Sequence, residues 1–148
     1  MSTYTQPCYH IAFSTKGRQP VLSKENRKDL FQYIWGILEN KNCYLYRIGG
    51  VEDHLHILTS LHPTVCLADL IKAIKVGTSV WIKESRMFQG FTHWQDGYGA
   101  LTHSSREKGG LIEYIKCQEE RHQRLSFTDE LRKLLREAGI EFDEELLA

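Results

Sequence analysis

The sequence predicts an α+β fold in which helices cover one small antiparallel sheet. Long segments with apolar residues at helical spacing alternate with short segments rich in β-branched and aromatic residues. The segments follow the order β-α-β-β-α-β, which is the ferredoxin-like split arrangement, and two more helices come after them. A chain of 148 residues, of which 41% are hydrophobic, has the size and composition of one globular domain.

The first strand is predicted over residues 6–14, and Gly17 and Pro20 mark the loop that follows it. Ser23 is a suitable N-cap for a helix over 24–41. The apolar residues of this segment recur at helical spacing and are Leu30, Phe31, Ile34, Trp35, Ile37 and Leu38. This pattern is typical of an amphipathic helix.

Two strands are predicted over 43–51 and 54–61, and the short connection between them favours an antiparallel hairpin. The remaining predicted elements are a helix over 65–86, a strand over 97–103 and helices over 105–122 and 126–138. Gly139 ends the last helix. We therefore expect a single domain over 1–148, in which residues 126–148 form an acidic helical extension.

The net charge of zero hides an uneven distribution of charge along the chain. Residues 1–125 contain 16 Lys and Arg against 12 Asp and Glu, whereas residues 126–148 contain 3 against 7. The body therefore carries +4 and the C-terminal segment −4. A mildly basic body is weak evidence for binding to a polyanion such as nucleic acid.

Cysteine spacing and hydropathy exclude several classes of protein. The four cysteines are far apart and form no CxxC pair, which predicts buried free thiols rather than a zinc cluster or a disulfide framework; they are Cys8, Cys43, Cys66 and Cys117. The sequence has neither an apolar run of about 18 residues nor the layout of a signal peptide. We therefore expect a cytoplasmic protein that has no contact with a membrane.

His54 and His56 stand two positions apart in a predicted strand. Their side chains should therefore share one face of the sheet, while Leu55 and Ile57 point to the other face. Two imidazoles at this spacing can reach one metal ion, but without a third ligand they are more often a solvated pair on a sheet surface.

Tyr114, Gln118 and His122 are spaced i, i+4 and i+8, so one helical stripe would carry all three. Taken singly, each side chain has an ordinary explanation. Tyr114 would lie at the edge of the core, Gln118 would be a surface glutamine, and His122 has no distinguishing feature beyond its position. The stripe becomes informative only together with the histidine pair.

A His-hydrophobe-His strand followed some 60 residues later by Tyr-x-x-x-Gln resembles the single-tyrosine HUH transposases of insertion-sequence-200-like elements. This family includes the tyrosine transposases associated with repetitive extragenic palindromes. Other segments fit it in the same order, namely TKGRQPV (15–21), EDHLHIL (52–58), GYGAL (97–101), EYIKCQEERH (113–122) and the ending LSFTDELRKLLREAGIEFDEELL (125–147). The resemblance thus covers nearly the whole chain.

The resemblance implies a metal-dependent tyrosine transposase that cleaves and rejoins single-stranded DNA. Tyr114 would be the nucleophile and form a 5′-phosphotyrosine link, while His54, His56 and Gln118 would bind Mg²⁺ or Mn²⁺. The expected substrate is a DNA hairpin at the end of a mobile element. The expected assembly is a homodimer, in which the tyrosine helix serves either the histidines of its own subunit or those of the other.

Basic residues in the first loop and on the second predicted helix are candidate contacts for the DNA backbone. They are Lys16, Arg18, Lys72, Lys75, Lys83 and Arg86. Taken singly, each is more often part of a solvated charged face.

Two other functions fit parts of the pattern. A ferredoxin-like sheet is also the platform of RRM-type modules that bind single-stranded nucleic acid without catalysis, although the paired aromatic residues of that class are missing. A metal-dependent hydrolase of small substrates would use the histidine pair. That reading leaves Tyr114 without a role, and no further histidine or carboxylate stands at an obvious ligand spacing.

Overall fold

The structure is a computed structural model that describes residues 2–147. Its four strands are β1 (Cys8–Ser14), β2 (Leu45–Gly50), β3 (His54–Ser60) and β4 (Gly99–Thr102). They form one sheet in the order β2-β3-β1-β4, and every neighbouring pair is antiparallel. The predicted α+β class, with its antiparallel sheet, is confirmed.

The helices are α1 (Lys24–Asn40), α2 (Leu67–Ser85), α3 (Lys108–Lys116), α4 (Gln118–His122) and α5 (Phe127–Glu137). Short 3₁₀ turns occupy Lys16–Arg18, Ser105–Glu107 and Glu144–Leu147. Ser23 takes the N-cap position of α1, as expected, but its side chain makes no capping hydrogen bond. The β-α-β-β-α-β order of the sequence is thus present, and shorter helices follow it.

The two faces of the sheet carry different chemistry because strand side chains alternate. Leu55 and Ile57 of β3 join Phe13 of β1 in the main core, against α1 and α2. His54 and His56 point the other way, toward the helices that follow β4. A smaller cluster that contains Leu58 and Ile115 fills the rest of that second face.

The helix predicted over 105–122 is not continuous, which corrects the sequence prediction. α3 ends at Lys116, Cys117 leaves the helical region with φ −93° and ψ 18°, and α4 begins at Gln118. Tyr114 and Gln118 therefore lie on consecutive helices rather than on one stripe. Helical periodicity continues through the break, so the pattern alone does not reveal it. Gln118, the first residue of α4, is buried and contacts His54 and Glu130, so the break lies where the chain enters the site.

The prediction of buried free thiols holds for only half of the cysteines. Cys8 and Cys43 are buried, whereas Cys66 and Cys117 are exposed, and all four are free. The two exposed cysteines flank the ends of helices, where the chain turns at the surface. Among residues 2–147, no helix has the length and apolar character needed to cross a membrane.

Gly49 of β2 allows α3 to pack directly on the sheet. A Cβ atom at this position would lie 2.6 Å from the carbonyl oxygen of Ile115 and 2.8 Å from its Cγ2 atom. We therefore expect Gly49→Ala to push α3 away from the sheet and to lower the free energy of unfolding by about 1–3 kcal/mol. Urea unfolding measures this change.

Gly36 provides the matched control for that substitution. It lies within α1, and a Cβ atom there would meet no atom within 4 Å. Gly36→Ala should therefore raise the free energy of unfolding by up to about 1 kcal/mol, because alanine is the better helix former. Equal effects of the two substitutions would contradict the close packing of α3 on β2.

Candidate active site

The two histidines of strand β3 lie between the sheet and α5. Both side chains are fully buried, which corrects the expectation that a pair of this kind is solvated. Their Nε2 atoms face the same point in the site, as their contacts with one carboxylate show. The alternation of side chains along β3 fixes their common direction.

Glu130 of α5 is the group on which the site converges. One of its carboxylate oxygens lies 3.0 Å from Nε2 of His56 and 3.4 Å from Nε2 of His54. The other accepts hydrogen bonds from the Gln118 amide at 2.9 Å and from the Tyr114 hydroxyl. The carboxylate therefore touches all four of the sequence-predicted site residues, although it is only 3% exposed.

His54 is held between two acceptors. Its Nδ1 atom lies 2.7 Å from a carboxylate oxygen of Asp53, and its Nε2 atom lies 3.0 Å from the amide oxygen of Gln118. Burial by itself lowers the pKa of His54, but its hydrogen bonds to Asp53 and Glu130 outweigh burial and raise the pKa to about 9. His54 is therefore an imidazolium at neutral pH.

The other three groups take complementary protonation states. Burial lowers the pKa of His56, so this imidazole is neutral. Burial alone would raise the pKa of Glu130, but hydrogen bonds from His54 and His56 bring it well below the usual range, which keeps the carboxylate ionised. Burial and the adjacent carboxylate raise the pKa of Tyr114, which therefore remains a phenol.

The charge on His54 makes the stability of the metal-free protein depend on pH. Its pKa is about 9 in the folded chain, against the ordinary value of 6.5. The stabilisation is therefore complete below pH 6.5 and is lost as the pH rises through 9, and its size is about 3 kcal/mol. Urea unfolding in chelator at pH 6 and pH 9.5 should show this loss. His54→Gln should remove much of it, whereas replacement of the exposed His93 should not.

Two further residues contact the site, and the sequence had indicated no role for either. The guanidinium carbon of Arg121 lies 4.1 Å from the centre of the Tyr114 ring, where its charge favours the phenolate. Nε2 of His122 lies 3.0 Å from Glu52 and 3.7 Å from Asp53. His122 therefore extends the polar network behind His54 and does not face Glu130.

Helix α5 covers the site from above the sheet. Phe127, at its first turn, stacks on the His54 ring with 4.5 Å between the ring centres. At Gly99 of β4, a Cβ atom would come within 2.9 Å of Leu131, so the helix lies close to the strands. The predicted acidic extension thus supplies both a ligand-like carboxylate and a cover for the site.

The predicted DNA contacts fall into separate groups. Lys72, Lys83 and Arg86 are exposed, but they belong to α2 or its C-cap, on the face of the sheet that is turned away from the histidines. Lys75 is engaged within the chain, because its Nζ atom donates to the carbonyl oxygens of Gln95 and Gly97.

The two cations of the first loop lie in the 3₁₀ turn after β1. Lys16 is exposed there, and Arg18 donates to the carbonyl oxygen of Leu147 at 3.4 Å. The role of all six cations in DNA binding stays a prediction.

The donor set fits a divalent metal ion. His54, His56 and Glu130 each offer a ligand atom, and these atoms lie within 4.8 Å of one another. The amide oxygen of Gln118 lies beside them, 3.0 Å from Nε2 of His54. An octahedral ion with bonds of about 2.1 Å places neighbouring ligand atoms roughly 3 Å apart, close to the separations observed here. The amide oxygen and the carboxylate are donors that Mg²⁺ and Mn²⁺ prefer, while the two imidazoles suit first-row transition ions better than Mg²⁺.

Comparison with known proteins agrees with the fold and with the order of the motifs. The ISDra2 transposase TnpA of Deinococcus radiodurans is 26% identical over 123 residues, which span 76% of this chain and 84% of that protein. A crystal structure from D. radiodurans R1 described as a transposase superposes with a TM-score of 0.63 and 22% identity, covering 80% of this chain and 95% of the other.

The structure of a REP-associated tyrosine transposase bound to a REP hairpin gives a TM-score of 0.61 with 13% identity, over 82% of this chain and 74% of that one. The family model described as "Transposase IS200 like" matches residues 3–118, which include both histidines, Tyr114 and Gln118. Glu130 and α5 lie beyond the matched residues. The match confirms the resemblance seen in the sequence: the chain belongs to the IS200-like transposase family.

Proposed function

We propose that this protein is a metal-dependent DNA strand transferase that cleaves and rejoins single-stranded DNA through a covalent bond to Tyr114. One observation carries the proposal, namely the convergence of the Tyr114 hydroxyl, both imidazoles and the Gln118 amide on the Glu130 carboxylate. A nucleophile and a set of metal ligands thus share one small site. Membership of a transposase family supports DNA as the substrate.

His54, His56, Gln118 and Glu130 would hold Mg²⁺ or Mn²⁺. When bound, such an ion supplies positive charge that polarises the scissile phosphate and favours the phenolate of Tyr114. Arg121 over the phenol ring adds to this effect. His54 must lose its Nε2 proton to act as a ligand, so metal binding should release a proton at neutral pH.

The proposed covalent step transfers a DNA strand from its neighbour in the backbone to Tyr114. The phenol proton passes to water, and the Oη atom of Tyr114 forms a bond to phosphorus. The bond from phosphorus to the 3′ oxygen breaks, and that oxygen leaves with the electron pair and takes up a proton. The products are a 5′-phosphotyrosine and a free 3′-hydroxyl, and attack by another 3′-hydroxyl reverses the step and joins a new strand.

The substrate we propose is a hairpin with single-stranded flanks, as in the REP-associated relative whose structure contains a REP hairpin. Within one chain, 5.8 Å separates the ring centre of Tyr114 from that of His56, which supports a site formed by a single subunit. A homodimer with shared sites, and a single domain over 1–148, stay predictions.

A denaturing gel with end-labelled single strands from the DNA beside the gene tests this function. With Mn²⁺, a 3′ label should migrate with the protein, whereas a 5′ label should appear as a shortened strand. This polarity follows from the 5′-phosphotyrosine link. Removal of the metal with chelator should abolish both products, and added Mn²⁺ should restore them. Strands that bind tightly but never form an adduct would contradict the proposal and favour a binding module.

A further inference from the structure

His10 of β1 is a buried histidine that the proposed reaction does not use. It is 2% exposed, and its Nε2 atom lies 2.8 Å from Nδ1 of His56. The strand register pairs Ala12 of β1 with His56, so His10 lies two positions along the same face of the sheet. The contact is therefore fixed by the β1–β3 pairing.

The Nδ1 atoms of the two β3 histidines contact partners of different kinds. Nδ1 of His54 faces the Asp53 carboxylate at 2.7 Å, whereas Nδ1 of His56 faces the His10 imidazole. Metal-binding histidines usually donate their outer N–H to such a partner, which orients the ring. A carboxylate can only accept a hydrogen bond, but a neutral imidazole can donate with one nitrogen and accept with the other.

The contacts of His56 require this versatility. In the structure its Nε2 atom lies 3.0 Å from a carboxylate oxygen of Glu130, which accepts, so Nε2 is the donor of this contact. Nδ1 of His56 then accepts from His10. To ligate a metal through Nε2, His56 must instead carry its proton on Nδ1, and His10 must accept.

We propose that His10 is a positioning residue for the metal site and keeps a hydrogen bond to His56 in both tautomers. This inference rests on the proposed function. The pair holds two protons before and after the exchange. Water takes the Nε2 proton of His56, one proton crosses from Nε2 of His10 to Nδ1 of His56, and water supplies a proton to Nδ1 of His10. That last atom is buried and has no partner among the described residues, so the N–H formed there lacks an acceptor and metal binding must offset this cost.

Calorimetric titration of the full chain with Mn²⁺, without DNA, tests this role. His10→Leu removes both functions of the imidazole and should weaken Mn²⁺ binding by about 10- to 100-fold. His10→Gln places an amide, which can donate or accept, near the position of the lost Nε2 atom. The Mn²⁺ affinity of this variant should therefore stay within a few-fold of that of the natural chain. His103→Gln is the control. The His103 ring lies 6.1 Å from that of His10 and does not contact His56, so this change should leave the Mn²⁺ affinity unaltered.

Each outcome decides one question. Equal Mn²⁺ affinity of the natural chain and His10→Leu would overturn the role of His10 and leave the proposed function intact. A natural chain that binds no Mn²⁺ would overturn the metal site itself. Equal weakening by His10→Leu and His10→Gln would show that His10 acts only through packing.

Nitrogen NMR of the natural chain provides a readout that does not depend on a variant that folds. In chelator, the resonances should show protonated Nε2 on His56. With Mg²⁺, the proton of His56 should be on Nδ1 and that of His10 on its own Nδ1. An unchanged pair of tautomers in a chain that binds Mg²⁺ would overturn the proposal.

Discussion

A Tyr114→Phe chain is expected to bind single-stranded DNA and Mn²⁺ as the natural chain does, but to form no covalent adduct. Phenylalanine keeps the ring that packs against His10, His56 and Arg121 and removes only the hydroxyl. The phenylalanine ring has no oxygen that can form a bond to phosphorus, so adduct should fall to the level seen without protein. The lost hydrogen bond to Glu130 should cost about 1–3 kcal/mol in stability, measured by urea unfolding.

Tyr33→Phe is the matched control for this change. Tyr33 lies on α1, where its ring stacks on Trp81 with 5.0 Å between ring centres, on the opposite face of the sheet. This variant should retain full adduct formation. Adduct from the Tyr114→Phe chain would exclude Tyr114 as the nucleophile. Loss of DNA binding together with adduct would show that the substitution had damaged more than the hydroxyl.

A His56→Ala chain is expected to lose chelator-sensitive cleavage entirely and to bind Mn²⁺ at least 100-fold more weakly. The change removes one of the two imidazole ligands and leaves His10 and Glu130 without their partner. Calorimetric titration measures the metal affinity, and the denaturing gel measures cleavage. His93→Ala, at an exposed histidine, should alter neither.

Stability must be measured in the same samples, because the substitution opens a cavity in a buried site and is expected to cost several kcal/mol. Metal affinity is therefore compared only under conditions in which far-ultraviolet circular dichroism shows a folded chain. Cleavage that survives in folded His56→Ala and still disappears with chelator would place the metal elsewhere.

Local patterns in the sequence predicted most of the fold. The alternation of side chains in β3 put His54 and His56 on one face and Leu55 and Ile57 on the other, as the structure shows. The bounds of α1 and α2 agree with the predicted helices to within two residues. Patterns of this kind depend on near neighbours in the chain, which is why the sequence reveals them.

The sequence did not reveal the groups that complete the site. Glu130 reaches His56 across 74 residues and His10 reaches it across 46. Neither Glu130 nor His10 stands at a metal-ligand spacing from the histidine pair in the sequence. The docking of α5 and the register of β1 bring these two residues to the site. The break at Cys117 is also absent from the local pattern, because helical periodicity continues through it. The only signal for Glu130 was an acidic residue in a C-terminal segment that already resembled the family.

The position of α5 has a kinetic consequence. His54, His56, Gln118 and Glu130 are each at most 3% exposed, and Phe127 lies on the first of these rings. A phosphodiester cannot reach the imidazoles while this helix stays docked, so Glu130 can contact the metal ligands only until a DNA strand enters. Entry of a DNA strand then includes a unimolecular step in which α5 moves away. The rate of strand entry cannot exceed the rate of this step, however high the DNA concentration.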